Sequence, residues 1–239
     1  MRAYIGFDDT DSHDSEFGTG KIARRLENIM PQGCHMWGVV RQQLLFDERI
    51  PYTSHNSSAC VIVDFSDPSV KDELLSAAVG HIERESVPGS DPGLCLACEG
   101  DSALIELISF GHLCATQIVT QKEALQAASG IHISGHGGSN DGIIGAAAAV
   151  GLTASGWSGR FIEFAGLRSF PDMVAVSELE KYGIRIVSLD RDAMIPHPED
   201  MVYTKGWLRP RLWGQKPILP VLNRGNNVWE TIGEKRKKS

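Results

Sequence analysis

Long apolar runs are missing from this sequence of 239 residues. The longest apolar stretch covers residues 142–152, which is too short and too rich in small side chains to cross a bilayer. The first seven residues run directly into Asp8 and Asp9, so the apolar segment of a secretory signal is missing as well. We therefore expect no membrane partner and a cytoplasmic location.

The sequence has few cysteines, and their number is odd. Five cysteines in a mid-sized chain without a secretory signal argue against a disulfide framework and favour free thiols in a reducing compartment. Cys95 and Cys98, followed by His112 and Cys114, have the thiolate and imidazole groups that zinc prefers. Buried free thiols are the alternative, because the downstream spacing is irregular.

Positive charge is scarce except near the carboxyl terminus. The net charge is −7, yet residues 201–239 hold nine of the 23 basic residues and only two of the 30 acidic ones. This basic tail interleaves lysine and arginine with tryptophan. Basic side chains bind the phosphates of nucleic acid and tryptophan rings stack on its bases, so RNA is a candidate partner. The residues concerned are Lys205, Trp207, Arg209, Arg211, Trp213 and Lys216. The alternative is that the tryptophans pack on the folded body while the charges face water.

Hydrophobic periodicity predicts a first unit over residues 1–110. Its elements run in the order strand, helix, strand, strand, helix, strand, which is typical of a ferredoxin-like split βαβ unit. The predicted strands cover residues 3–8, 36–45, 58–65 and 103–109. The predicted helices cover residues 19–30 and 67–84. The long connection from Val87 to Ser102 fits this order least well.

A second α/β unit is predicted over residues 111–195, because strands and helices alternate there too. Its predicted helices cover residues 120–128, 141–151 and 174–182. Its predicted strands cover residues 130–134, 160–165 and 184–188. Beyond Pro196 prolines recur and periodicity is lost, so residues 196–239 are predicted to form an extended tail. The whole pattern predicts an α/β (α+β) fold.

An acidic loop follows the first predicted strand. Five acids lie within nine residues, with no base among them: Asp8, Asp9, Asp11, Asp14 and Glu16. A divalent cation relieves such repulsion, and Mg²⁺ usually takes one or two protein carboxylates and completes its shell with phosphate and water oxygens. The alternative is a solvated acidic turn in which Asp11 or Ser12 caps a helix.

A glycine-rich turn lies between a predicted strand and a predicted helix. Its residues are Gly135, His136, Gly137, Gly138, Ser139, Asn140, Asp141 and Gly142. Glycines let backbone N–H groups approach a phosphate, and a helix N-terminus adds partial positive charge. No lysine follows, which excludes a Walker loop, and Asp141 would repel a phosphate unless a cation bridges them or it caps the helix. The alternative is a turn without a ligand.

Together these motifs resemble the archaeal tRNA-Ile agmatidine synthetase family, whose members attach agmatine to a wobble cytidine. The resemblance is carried by four segments: Ile5-Gly6-Phe7-Asp8-Asp9-Thr10-Asp11-Ser12, Asp91-Pro92-Gly93, the stretch from His136 to Ala146, and the pair Glu163 and Arg168. It covers roughly residues 1–190, with a fainter similarity at residues 220–225.

The resemblance implies an ATP-dependent kinase-like region associated with a ferredoxin-like domain, which activates the cytidine by phosphorylation before the amine attacks. It implies that Asp8, Asp9 and Asp11 are catalytic and handle Mg²⁺ and the ATP phosphates. Thr10, Ser12 and the glycine turn would bind the nucleotide nearby. Phosphoryl transfer depends mostly on positioning and charge neutralisation, which these residues could provide.

The chain departs from that family in two ways. The family's OB-fold and zinc-ribbon domains have no room in this sequence. Where the family has Arg-Gly-Asn-Gly-Ala, this chain has His55-Asn56-Ser57-Ser58-Ala59, so His55 would replace a phosphate-contacting arginine with a weaker, pH-dependent contact.

Three functional hypotheses follow. The first is a Mg²⁺- and ATP-dependent phosphoryl-transfer or ligase-like enzyme, related to tRNA modification, whose acceptor the sequence does not name. The second is a non-catalytic nucleotide- or RNA-binding module of the same fold. The third, weaker one is a metal-dependent phosphohydrolase that uses water as the nucleophile.

Overall fold

The computed structural model describes residues 1–12, 15–50, 55–191 and 194–232. The chain forms two compact units, Met1–Ser155 and Gly156–Ser239. The boundary that the sequence suggests near residue 110 lies inside a helix of the first unit, so the acidic loop and the glycine turn belong to one unit.

The first unit is built on an antiparallel sheet of five strands. These are β1 (Arg2–Asp8), β2 (Cys34–Gln43), β3 (Ser57–Phe65), β4 (Gly93–Cys98) and β5 (His132–Gly135), in the spatial order β5-β4-β1-β3-β2. The helices are α1 (Thr19–Arg25), α2 (Lys71–Glu85), α3 (Leu104–Cys114), α4 (Gln121–Ala127) and α5 (Gly142–Ser155), with short 3-10 helices at Leu26–Ile29 and Pro68–Val70. The order β4-β1-β3-β2 with α1 and α2 as crossovers is that of a split βαβ unit, with a fourth strand other than the predicted one.

One predicted strand of this unit is wrong. Residues 103–109 belong to helix α3, and the fourth strand of the split βαβ unit is Gly93–Cys98, inside the segment taken for a long connection. Leu107, Phe110 and Cys114 are buried at helical spacing in α3. Strand β4 is buried on both faces, so it lacks the alternation that marks a half-exposed strand.

Helices cover both faces of this sheet. On one face Phe7 of β1 contacts the ring of His81 in α2, and His81 Nε2 lies 2.8 Å from the carbonyl of Ile22 in α1. On the other face α5 lies directly on the strands, since a Cβ atom at Gly6 would come within 2.0 Å of the Ala146 carbonyl oxygen. Glycine at that position is therefore what lets the helix backbone touch the sheet.

The second unit is a sheet with one helix, α6 (Val176–Lys181), among its described residues. Its strands are β6 (Arg160–Glu163), β7 (Met173–Ala175), β8 (Arg185–Ser188), β9 (Met201–Tyr203), β10 (Arg211–Trp213), β11 (Lys216–Asn223) and β12 (Val228–Thr231). Within this unit the order is β6-β10-β11-β12-β9-β7, and β8 pairs with β11 in parallel.

The predicted tail is therefore more ordered than its sequence suggests. It contributes the four strands β9 to β12, and Trp229 of β12 is buried and donates from Nε1 to Asp200 at 2.8 Å. Pro217 and Pro220 interrupt the pattern of β11, which hides the strand from a search for periodicity.

Two further expectations have a structural outcome. All five cysteines are free and buried, and the described residues contain no cluster of histidine, cysteine and acid side chains with metal-binding geometry. The zinc alternative for Cys95, Cys98, His112 and Cys114 is therefore wrong. Within the described ranges, no helix has the length and apolar character needed to cross a membrane.

Candidate functional site

The acidic loop begins where β1 ends. Asp8 is the last residue of that strand, and Asp9 adopts the left-handed conformation with φ of +50°. In a continuing strand the two side chains would point to opposite faces, so this change of backbone conformation starts the turn at Asp9. The chain therefore turns at Asp9, as it must if the side chains of Asp8 and Asp9 are to converge.

Asp8 packs against helix α5. A Cβ atom at Gly145 would lie 1.6 Å from Asp8 Oδ2, so the missing side chain of Gly145 makes room for this carboxyl group. Burial raises the pKa of Asp8 to about 8, and the negative charges of Asp9 and Asp11 add to the effect. An ionised Asp8 is thus unfavourable unless a cation lies beside it.

Asp9 lies where acids from three segments converge. Its pKa is raised to about 6, first by burial and then by the charges of Asp91, Asp11 and Asp141. Asp91 precedes β4 and Asp141 precedes α5, so the acidic loop and the glycine turn face a shared negative region. The sequence pointed to Asp91 only as part of the Asp91-Pro92-Gly93 motif, not as a residue of this site. The signal that could have identified it is an acidic residue within that motif.

Three predicted site residues hold the loop itself together. Asp11 Oδ1 accepts from the backbone N–H of Thr19 at 3.3 Å and from its hydroxyl at 3.0 Å, so it caps the start of α1 from outside the helix, whose N-cap residue is Gly18. Thr10 is buried and its hydroxyl donates to Thr19 Oγ1 at 3.0 Å. The backbone N–H of Ser12 donates to Ser15 Oγ at 2.7 Å. The alternative of a capping role is therefore observed for Asp11.

The glycine turn lies beside the acidic loop because of strand register. Gly135 pairs with Gly93 of β4, and Gly93 pairs with Asp8 of β1. The turn then uses left-handed backbone at Gly138 (φ of +57°) and Asn140 (φ of +64°) before α5 begins at Gly142. Residues 8–9 and 135–142 thus belong to one site.

Asp91 fixes the shape of the turn. Its carboxylate accepts from the Ser139 backbone N–H at 2.5 Å and from the Ser139 hydroxyl at 3.2 Å. A Cβ atom at Gly138 would lie 1.4 Å from Asp91 Oδ1, so glycine is required there. On the other side, Gln121 Nε2 donates to Asp141 Oδ1 at 2.5 Å, a contact for which the sequence holds no signal.

His136 turns its side chain away from the open side of the turn. Its Nδ1 lies 3.2 Å from Glu83 Oε1 on α2, and its Nε2 lies 2.7 Å from Ser134 Oγ. The side chain is only 8% exposed, and the backbone N–H donates to the Pro92 carbonyl at 2.8 Å. The contacts of His136 therefore anchor the turn to α2 and to the segment before β4.

The open part of the turn consists of exposed residues 137–141. Within the described parts of the chain, the backbone N–H groups of Gly137 and Gly138 donate to no protein acceptor. Free N–H groups of this kind before a helix N-terminus are typical of phosphate sites. Asp141 at the same place brings negative charge, so an anion here needs a cation beside it.

Ser58 is a site residue that sequence reasoning did not select. Ser58 pairs with Gln42 of β2, and its neighbour Ala59 pairs with Phe7, the residue before Asp8. Its hydroxyl is buried and has no hydrogen-bond partner among the described residues. A buried hydroxyl without a partner is costly, so a water or ligand atom that reached Ser58 Oγ would gain a hydrogen bond.

His55 precedes β3 at the same end of the sheet. Its ring lies edge-on to Phe46, with the ring centroids 6.4 Å apart. Residues 51–54 just before it lie outside the described part of the chain. Asp14, one of the five acids of the acidic loop, also lies outside it.

The carboxylates of Asp8 and Asp9 are the groups of this site that could hold a cation. The described residues do not form a cluster of three or more histidine, cysteine or acid side chains placed for one ion. Asp11 is engaged with Thr19, whereas Asp8 and Asp9 form no ion pair with any residue that the structure describes. Two carboxylates with phosphate and water oxygens are the usual donor set of Mg²⁺.

No family model and no curated protein matches this chain. Among solved structures the fold is similar to apo TiaS, a tRNA-Ile agmatidine synthetase, with a TM-score of 0.52 and 23% identity. It is also similar to the complex of TiaS with isoleucine tRNA and ATP, with a TM-score of 0.51 and 23% identity. A third similar structure is a tRNA fluorescent labeling enzyme, with a TM-score of 0.51 and 24% identity.

These similarities are partial. Each covers 63% of this chain and 35–36% of the other chain, so this chain spans about a third of the length of those proteins. At this level of identity they establish a shared fold. The resemblance to the tRNA-Ile agmatidine synthetase family is thereby confirmed for the fold of part of the chain.

Proposed function

We propose that the first unit binds ATP with Mg²⁺ and catalyses a phosphoryl-transfer or ligase-like reaction. The observation that carries the proposal is that two acids with raised pKa values, Asp8 and Asp9, lie beside a glycine turn. The backbone N–H groups of Gly137 and Gly138 in that turn donate to no acceptor among the described residues. The two halves are complementary, because the ionised carboxylates of Asp8 and Asp9 favour a cation beside them and the N–H groups of the turn favour an anion. A cation that carries a polyphosphate satisfies both.

The residues divide into two roles in this proposal. Asp8 and Asp9 would hold Mg²⁺, while Gly137 and Gly138 would donate N–H groups to the phosphates. Asp11, Asp91 and the side chain of His136 position these segments through the contacts described above. Mg²⁺ would neutralise charge on the transferred phosphoryl group, which is where catalysis of this reaction mostly comes from.

The proposed acceptor class is RNA or a nucleoside. Support comes from the fold similarity to TiaS, which has been solved with isoleucine tRNA and ATP. Because this chain spans about a third of that protein, the acceptor and any amine substrate require their own test.

The first test is binding of a non-hydrolysable ATP analogue by calorimetry, with and without Mg²⁺. We expect binding that depends on Mg²⁺ and that weakens by more than about 10-fold in Asp9→Asn, which corresponds to about 1.4 kcal/mol. The matched control is Glu106→Gln, which removes an exposed acid from α3. No affinity in the wild-type protein, or equal affinity in Asp9→Asn, would contradict the proposal.

A non-catalytic nucleotide- or RNA-binding module is the second candidate. The observation that favours it is His55 in place of an arginine, since a histidine does not carry the permanent positive charge with which an arginine contacts phosphates. Labelled ATP separates the two: transfer to RNA or to a nucleoside supports the enzyme, and Mg²⁺-dependent binding without turnover supports the module. Release of phosphate without an acceptor would instead support a phosphohydrolase.

A further inference from the structure

Arginines face each other in the second unit, where β6 pairs with β10. Arg160 and Arg211 are directly opposite in the antiparallel register. The pairing is held by hydrogen bonds from the Phe161 N–H to the Pro210 carbonyl at 2.8 Å and from the Leu212 N–H to the Gly159 carbonyl at 3.2 Å. Two like charges at opposed positions destabilise a sheet.

No protein acid compensates these charges in the described ranges. Arg160, Arg209 and Arg211 form no ion pair there, whereas Arg168 reaches Glu163 at 3.9 Å. Burial lowers the pKa of Arg209 and Arg211, and the positive charge of Arg160 lowers both further. The three guanidinium groups are thus held near one another without a counter-charge.

Tryptophan rings hold two of these arginines in place. The Arg209 guanidinium lies 4.6 Å from the centre of the Trp207 ring, and that of Arg211 lies 5.2 Å from the centre of the Trp213 ring. A further ring, Trp157, is 69% exposed and lies beside Gly214 at the end of the same hairpin. Most of the surface of the Trp157 ring therefore faces solvent, three residues along the chain from Arg160.

We propose that Arg160, Arg209 and Arg211 bind the phosphates of a single-stranded nucleic acid, with Trp157 as the surface on which a base stacks. Planar guanidinium groups match phosphate oxygens in pairs, and several adjacent phosphates supply the counter-charge that the protein lacks. Stacking on an aromatic ring accepts any base, so the site has little sequence preference.

This site shares Arg209 and Arg211 with the basic tail that the sequence suggests, but its other members differ. Lys205 of that tail is paired with Glu230, which removes it from the set of uncompensated charges. Arg160, which lies about 50 positions earlier in the chain than Arg209 and Arg211, joins through strand pairing instead. The inference concerns the second unit and does not rest on ATP binding by the first.

The experiment measures fluorescence anisotropy of a labelled uridine oligonucleotide of about 10 nucleotides, a length within the usual site size, against the full chain. We expect binding that weakens with salt, as phosphate contacts require. Arg160→Gln is expected to weaken it by about 10-fold and to lower the salt dependence by about one phosphate contact. Trp157→Ala is expected to weaken it by about 5- to 150-fold.

Two controls separate binding from folding. Arg185→Gln removes an exposed arginine from β8 and should leave the affinity unchanged. Arg160→Gln should also raise the midpoint of thermal unfolding, because it relieves the charge opposition with Arg211; a merely structural arginine would lower it. Asp9→Asn should keep the oligonucleotide affinity, and Arg160→Gln should keep Mg²⁺-dependent ATP binding, so either proposal can fail alone.

Four outcomes would overturn the inference. They are no binding of the oligonucleotide at low salt, an equal loss in Arg160→Gln and Arg185→Gln, and binding to vesicles of anionic lipid without binding to the oligonucleotide. The fourth is equal affinity for a duplex of the same length together with no effect of Trp157→Ala, which would exclude base stacking.

Discussion

Gly145→Ala is the sharpest test of the proposed nucleotide site, because it adds one methyl group beneath Asp8. The new carbon would lie 1.6 Å from Asp8 Oδ2 and 2.4 Å from its Cγ atom. Helix α5 cannot retreat from the sheet easily, since it is also packed against α3: a Cβ atom at Gly151 would come within 1.8 Å of the Leu107 carbonyl oxygen. We therefore expect the carboxyl group to move by about 1–2 Å, and a displacement of 1 Å can cost about 100-fold in activity.

The cost in stability should be smaller than the cost in function. Overpacking of this kind costs about 1–3 kcal/mol, and replacing a mid-helix glycine by alanine returns about 1 kcal/mol through helix propensity. The net loss is therefore about 0–2 kcal/mol, which leaves the protein folded. Gly80→Ala is the matched control, because its new carbon would meet only the flexible end of Arg84, at 3.2 Å. That variant should gain about 0.5–1 kcal/mol.

The assay pairs thermal unfolding with calorimetry of an ATP analogue in the presence of Mg²⁺. Gly145→Ala should stay folded and lose Mg²⁺-dependent affinity, whereas Gly80→Ala should keep it. If Gly145→Ala bound the analogue as tightly as the wild-type protein, Asp8 would have no role as a metal ligand, and the reasoning about this carboxyl group would be refuted.

Three further predictions follow from single contacts. Asp8→Asn should raise the unfolding midpoint without Mg²⁺ at about pH 8. The reason is that the raised pKa of Asp8 makes the folded protein bind more protons than the unfolded chain, so wild-type stability falls as pH rises from about 4 to about 8. A midpoint below that of the wild-type protein would contradict this. Asp91→Asn should weaken the bond from the Ser139 N–H and destabilise the first unit by about 1–3 kcal/mol, measured by denaturant unfolding; an unchanged unfolding curve would show that the turn holds its shape without Asp91. The pKa of Asp200 is lowered, first by the hydrogen bond from Trp229, so its contribution is present above the ordinary aspartate pKa of about 4 and is lost as pH falls below it. The midpoint of thermal unfolding, followed by tryptophan fluorescence, should therefore fall as the pH is lowered below about 4, and Asp200→Asn should reduce that fall; the same pH dependence in both proteins would show that this carboxylate contributes nothing.

Local pattern determined much of the first unit. The spacing of Leu74, Ala78 and Ile82 on α2 is helical whatever they pack against. The strands β1 and β3 were likewise recognisable from their own apolar residues. The acidic loop was also visible, because five acids without a base are repulsive in any fold. The glycine turn was recognisable as a turn, since left-handed backbone at Gly138 favours glycine.

Strand register and long-range packing decided the rest. Asp8 and Gly135 lie far apart in sequence, and only the pairs Asp8–Gly93 and Gly93–Gly135 bring them to one edge of the sheet. Burial then sets the raised pKa of Asp8 and leaves Ser58 without a partner among the described residues, and neither effect can be read from neighbours in sequence. The opposition of Arg160 and Arg211 has the same origin, because pairing between strands is a tertiary contact.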